Sequence, residues 1–168
     1  MPSPLGHSLA GVAAGWAVGR PLRPSRALMV QAMTLAIIGM APDLDLLWGR
    51  HSRETHSIGA ALIVAAIAAW RRWPVGAHTR SGIFAMALAA WGIHPILDVF
   101  SVDNDPPLGV MLWWPFSNGF VHSAQSIFDP ISRYWTRSGT WPQNFAAAGH
   151  ELKLLAPLLG LVWYLRRR

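Results

Sequence analysis

Apolar and polar positions fall in blocks along this chain, with five apolar runs separated by short polar stretches. The runs are Ser8 to Gly19, Ala27 to Ala41, Ser57 to Trp70, Ser81 to Phe100 and Leu152 to Leu165. Runs of this length and composition predict helices. Pro42 ends the second run, because its ring disfavours the helical conformation at the residue before it, and Pro95 predicts a kink near the end of the fourth. Residues 101 to 150 are rich in Pro, Gly, Ser and Asn and read as irregular, with a short helix expected near 120 to 128. The expected architecture is one all-α domain over residues 1 to 168. It is an integral membrane bundle of about five short apolar helices, with an irregular segment facing outward.

Most of the runs fall short of the roughly 20 residues that span a bilayer. Two arrangements accommodate this. Flanking polar residues extend the helices into the headgroups, with arginines snorkelling, or the protein is only partly immersed. The first run resembles a signal sequence in composition, but its basic residues follow the apolar stretch, the wrong order for a cleaved leader.

Composition strengthens the membrane reading. The chain is 52% hydrophobic and 13% charged, against about 25% charged for an average soluble domain. It holds ten tryptophans, of which Trp48, Trp70, Trp73, Trp113 and Trp114 lie near the ends of apolar runs, where interfacial aromatic residues gather. A net charge of +6 would ordinarily suggest nucleic acid, but the bases sit in short clusters between apolar runs, so no nucleic-acid partner is expected. Alternating the loops between two sides puts Arg20, Arg23, Arg26, Arg71, Arg72, Arg80 and the terminal Arg166, Arg167 and Arg168 on one side. All eight acids and every histidine except His78 fall on the other. The positive-inside rule makes the basic side cytoplasmic and turns the polar side outward.

Candidate chemistry concentrates in Pro42 to Ser57, PDLDLLWGRHSRETHS. Asp43 and Asp45 follow the helix-ending proline, whereas His51 and His56 are five apart, roughly 140° around a helix, and cannot share a helical face. A loop carrying Asp43, Asp45 and His51, with His56 on the first turn of the next helix, can converge oxygen and nitrogen ligands on a divalent metal. With no cysteine in the chain, thiolate sites are excluded. In the fourth run His94 and Asp98 are spaced i, i+4 and share a face. Alone they also fit a polar pair that joins helices; beside PDLD and THS on the same side, a metal clamp is the stronger reading. His7 opens the first run on that side and can reach the cluster. His122, His150 and Glu151 stand in unpatterned surroundings and read as solvated loop residues, and Asp129 reads as a turn or cap residue. Trp113 and Trp114 read as an interfacial anchor.

The combination of GHSL at 6 to 9, APDLDLL at 41 to 47, H-x4-HS at 51 to 57, HPILD at 94 to 98 and GVMLWWPFS at 109 to 117 with FDP at 128 to 130 resembles the YdjM-like family of membrane-bound, predicted metal-dependent hydrolases. The resemblance implies a polar signature on His7, Asp43, Asp45, His51, His56, His94 and Asp98. It departs at SRE, residues 52 to 54, where the family usually carries an arginine and a glycine ahead of THS; the arginine here is Arg53. A distant similarity of that family to zinc-dependent phospholipase C implies phosphoester chemistry.

The expectation is therefore an inner-membrane, multi-pass hydrolase holding one to three divalent ions, zinc first among them, and acting on a phospholipid or other membrane phosphoester. Asp43, Asp45 and Arg53 are its expected catalytic residues. Asp43, His56, His94 and Asp98 are the core ligands, and His7, Asp45 and His51 supporting ligands or their orienting partners. The alternative is a membrane scaffold or regulator with a structural metal.

Overall fold

The computed structural model of the protein describes residues 1 to 167 except 78, 104, 105, 133 and 135. It is all-helical: α1 (Pro4–Val18), α2 (Arg26–Met40), α3 (Ile58–Arg71), α4 (Arg80–Val99) and α5 (Thr140–Arg166), with 3-10 turns at Ala41–Trp48 and Glu54–His56. α1 and α4 form the centre. α2 packs on both, α3 lies on α4, and α5 lies along α1.

Local sequence explains where the helices begin. Ser3 caps α1 by accepting from the Gly6 amide, with Pro4 in the first turn, where its missing N–H costs nothing. Ser25, Ser57 and Thr79 cap α2, α3 and α4 in the same way. α1 therefore starts four residues earlier than its apolar run predicts, which places His7 inside the helix.

The interior is built from small side chains. Ala65, Ala68, Ala87 and Ala90 are fully buried around Leu35, Met86 and Trp91. Small residues let helix backbones approach, and in a bilayer such packing rather than transfer from water holds helices together. One close approach is at Gly11 of α1 and Gly39 of α2. A Cβ on Gly39 would lie 2.6 Å from the His7 carbonyl oxygen and 2.9 Å from Gly11 Cα. This crossing fixes the end of α1 that carries His7 against the end of α2 that leads to Asp43.

Contacts at the two ends give the helix directions. At one end Ser3 meets Glu151, and the amides of Ile58 and Gly59 donate to the carbonyls of Leu112 and Trp114. At the other, the Gln31 side chain bonds the Arg20 and Val75 carbonyls, and Arg166 bonds the Val18 and Gly19 carbonyls. Hence α1, α3 and α5 run one way, and α2 and α4 the other.

Among the described residues, three stretches are long and apolar enough to cross a membrane: Arg26–Trp48, Arg80–Val99 and Thr140–Arg166. Two of these stretches are longer than the apolar runs that mark them. The 3-10 turn lengthens α2, and α5 reaches back to Thr140, well before Leu152. Its start is set by Gly139 at φ +82°, a turn conformation from which a helix can leave, followed by Pro142 in the first turn. The irregular segment thus ends near 139 rather than 150. Residues 120 to 128 form no helix; Val121 bridges Val110 and Phe128 bridges Ser101 as isolated β-pairs.

Candidate metal centre

Four elements deliver side chains to one end of the bundle. α1 brings His7. The 3-10 turn after α2 brings Asp43 and Asp45, because Pro42 ends the α-helix and the tighter winding carries the chain across the bundle end. Gly49 at φ +69° reverses the chain into His51. The expected placement of His56 on the first turn of α3 is corrected: it occupies its own 3-10 turn, one residue before the Ser57 cap. That turn is pinned to α4 by Trp91, whose indole N–H donates to the Thr55 carbonyl at 2.9 Å. α4 supplies His94 and Asp98 from one face.

Five of these side chains converge. His94 Nε2 is 3.4 Å from Asp43 Oδ1 and 3.2 Å from Asp98 Oδ2. His56 Nε2 is 3.5 Å from each of the same two oxygens. His7 Nε2 is 3.3 Å from Asp98 Oδ1 and 4.0 Å from Asp43 Oδ2. His7, His56, His94 and Asp98 have fully buried side chains, whereas Asp43 keeps 12% of its side chain exposed.

Their inward-facing atoms lack hydrogen-bond partners. His7 Nε2, His56 Nε2, His94 Nε2, Asp43 Oδ1 and both Asp98 oxygens are buried and unsatisfied. Buried polar atoms are nearly always paired, and a cluster of orphans needs an explanation such as an ion. The donor set fits one. Zinc bonds His nitrogen and carboxylate oxygen at about 2.0–2.2 Å, so ligand atoms around a tetrahedral ion stand about 3.3 Å apart, close to most of the separations above. Two carboxylates neutralise a divalent charge. The His7 and His94 rings stack at 3.5 Å with an interplanar angle of 16°, which suits two neutral imidazoles and not two imidazoliums.

The outer faces of the imidazoles are held. His94 Nδ1 lies 2.7 Å from the Gly39 carbonyl oxygen and His56 Nδ1 lies 3.1 Å from Asp45 Oδ2. Each arrangement places the ring proton on Nδ1 and leaves Nε2 free to ligate. Asp45 also takes His51 Nδ1 at 2.8 Å and the Thr55 hydroxyl at 2.5 Å. Burial pushes the His56 imidazole down, but the nearby carboxylates of Asp43 and Asp45 outweigh burial and raise its pKa above the ordinary histidine value.

Asp45 and His51 thus stand one layer outside the five converging residues, although Asp43, His51 and His56 can still bring one donor atom each within 4.8 Å of one another. Arg53 is half-buried in the turn before His56, and no hydrogen bond or ion pair joins its side chain to the cluster. His122 is exposed. His78 and Asp105, assigned to opposite sides by the loop alternation, lie outside the described residues. One reading is overturned: Glu151 is no solvated loop residue. It is 1% exposed within α5 and accepts from both the backbone N–H and the hydroxyl of Ser3, anchoring the start of α1. Its neighbour His150 pairs with Asp129 at 2.9 Å on the surface. Thr55, Trp91 and the Gly39 carbonyl were missed by sequence reasoning. Only Thr55, inside THS, carried any local signal.

The fold and the cluster define a class: an all-helical membrane protein whose bundle closes at one end over His and Asp side chains able to hold a metal ion. The chain belongs to the YdjM inner membrane protein family, whose model matches residues 1–168. No curated protein and no solved structure matches it significantly.

Proposed function

We propose that this protein is a multi-pass, metal-dependent hydrolase of the inner membrane, a phosphoesterase acting on a phospholipid or another membrane phosphoester at the outward face. The observation that carries this reading is the set of buried, unpartnered nitrogen and oxygen atoms of His7, Asp43, His56, His94 and Asp98. These five residues hold the ion, with room for one to three ions if His51 joins. Zinc suits a ligand set of imidazole and carboxylate without thiolate. A bound divalent ion supplies Lewis acidity toward a phosphoryl oxygen and lowers the pKa of water to about 7.

The chain's own residues do the rest. Asp45 fixes the His56 ring, and the Gly39 carbonyl fixes His94. Asp43, the cluster member with solvent access, marks the side from which substrate and water approach. Arg53 stands close enough in sequence to His56 to meet a substrate oxygen once substrate is bound. The outward orientation rests on the nine arginines gathered by loop alternation on the opposite side.

Two features favour a lipid. Leu47, Trp48, Trp113 and Phe116 stand exposed at the site end, with Phe116 at 91%, an apolar collar suited to a bilayer surface. An apolar groove of about 560 Å3 is lined by Ile58, Ile96 and Leu112, two of them two residues from His56 and His94, and continues to Ala17 and Leu88. It suits an acyl chain whose headgroup lies at the cluster.

Complete burial of the three imidazoles favours a second reading, a closed structural centre in a scaffold or regulatory protein. A panel of lipid and soluble phosphoesters separates the two. Metal-loaded wild type should cleave at least one substrate, and Asp43→Asn, which removes a ligand charge at nearly constant volume, should abolish that turnover. Equal rates for wild type and Asp43→Asn across the panel would leave the structural reading standing.

A further inference from the structure

The end of the bundle opposite the metal cluster contains a second concavity. It has a volume of about 620 Å3, within the range of small-ligand pockets. Its walls are Leu22, Val30, Trp73, Pro74 and Ile83, and two arginines, Arg26 and Arg72, line it as well. A smaller recess of about 340 Å3 shares Leu22, Gly76 and Ala77 with it and continues toward Met86.

The segments that line it are tied together by a side chain behind them. Gln31 is fully buried and its amide donates to the carbonyls of Arg20 and Val75 at 2.8 and 2.9 Å, while its oxygen accepts from the Leu22 amide at 3.0 Å. One side chain thus ties the segments before α2 and after α3 into a fixed cradle. Gly76, at φ +89°, lets the backbone pass against Gln31, where a Cβ would collide with the amide. Arg72 ends α3 at φ +53°, a left-handed position that favours glycine. A long basic side chain stands there instead, beside the cavity.

Among the described residues, no carboxylate lines this groove. The described acids engage elsewhere: Asp43, Asp45 and Asp98 in the cluster, Glu54 with Arg50, Asp103 with the Gly109 amide, Asp129 with His150 and Glu151 with Ser3. Two exposed guanidiniums above apolar walls, at the end where loop alternation gathers nine of the chain's arginines, match a phosphate joined to acyl chains. They match a free anion poorly, because most of the lining is hydrocarbon.

We propose that this groove is a binding site for an anionic phospholipid, with Arg26 and Arg72 receiving the headgroup phosphate and Leu22, Val30, Trp73 and Ile83 receiving the start of an acyl chain. It is separate from the metal cluster and stands whether or not the cluster is catalytic.

Native mass spectrometry of the full chain, released from phosphatidylcholine nanodiscs containing a minor share of phosphatidylglycerol, tests it. One phosphatidylglycerol should be retained per chain. Retention should weaken at least tenfold in Arg26→Gln/Arg72→Gln and in the groove-filling Leu22→Trp, and persist in Arg23→Gln/Arg71→Gln, which removes equal charge from neighbouring positions outside the groove. Circular dichroism and gel filtration confirm that each variant is folded. Equal loss in both arginine pairs would reduce the effect to general surface charge and overturn the site. Displacement of the lipid by millimolar inorganic phosphate would overturn the lipid assignment, and retention unchanged in Arg26→Gln/Arg72→Gln would overturn both.

Discussion

Gly39→Ala is a one-carbon perturbation placed at the joint between fold and site. The new methyl would lie 2.6 Å from the His7 carbonyl oxygen and 2.9 Å from Gly11 Cα. Both are backbone atoms, so no side chain can swing aside. Ordinary contact begins at 3.4 Å, so α1 and α2 must separate by roughly 0.8 Å. Overpacking of this kind costs about 1–3 kcal/mol, partly offset by the roughly 1 kcal/mol that alanine gains over glycine within a helix. The separation also moves three parts of the site: His7 on α1, the Gly39 carbonyl that orients His94, and Asp43 four residues beyond. Loss of an orienting contact typically lowers metal affinity 10–100-fold, and that range is expected here. Competition titration with a chromophoric chelator measures the affinity, and thermal unfolding in detergent measures the stability. Gly160→Ala is the control, since a Cβ there meets nothing within 4 Å. It should be neutral or slightly stabilising and should leave metal affinity unchanged. Wild-type metal affinity in Gly39→Ala would refute the claim that this crossing sets the site.

Asp45→Asn should lower metal affinity 10–100-fold without eliminating binding, because it weakens the hold on His56 and His51 but removes no converging atom; a loss as complete as that in Asp98→Asn would make Asp45 a direct ligand. Glu151→Ala leaves the Ser3 amide and hydroxyl without their buried acceptor and should cost about 1–3 kcal/mol, read as a lower unfolding midpoint, with no effect expected from His122→Ala. In the metal-free protein the raised His56 pKa contributes stability that is present in full below about 6.5, the unfolded value, and is lost as pH rises through the higher folded value. Metal binding displaces that proton, so metal affinity should rise with pH over the same window and fall in acid; chelator titrations of wild type and His56→Gln at several pH values test this, and an identical pH dependence in the two would mean that His56 is no ligand.

The i, i+4 spacing of His94 and Asp98 and the PDLD and THS motifs were legible in the sequence because they are local and sit beside apolar runs that fix their end of the bundle. The depth of His7 was less so. The Ser3-Pro4 cap was available as a start signal, but the apolar run begins only at Ser8. Glu151 was misread for a related reason: residues 140 to 150 are too polar to look like the start of an apolar helix, and the partner that makes burial affordable, Ser3, lies 148 residues away. The role of Gly39 is a matter of backbone approach and carbonyl direction, which residue identity alone does not reveal. The basic groove depends on Gln31 bonding two distant carbonyls, again a purely tertiary fact.

The central claim is that the converging histidines and aspartates form a metal centre, and elemental analysis of the purified protein tests it most directly. Wild type should carry at least one equivalent of zinc or another divalent ion per chain. Asp98→Asn and His94→Ala should each lose most of it while remaining folded by circular dichroism, and His150→Ala should keep it. Metal-free wild type that cannot be loaded, or stoichiometric metal persisting in a His94→Ala/Asp98→Asn double variant, would contradict the account.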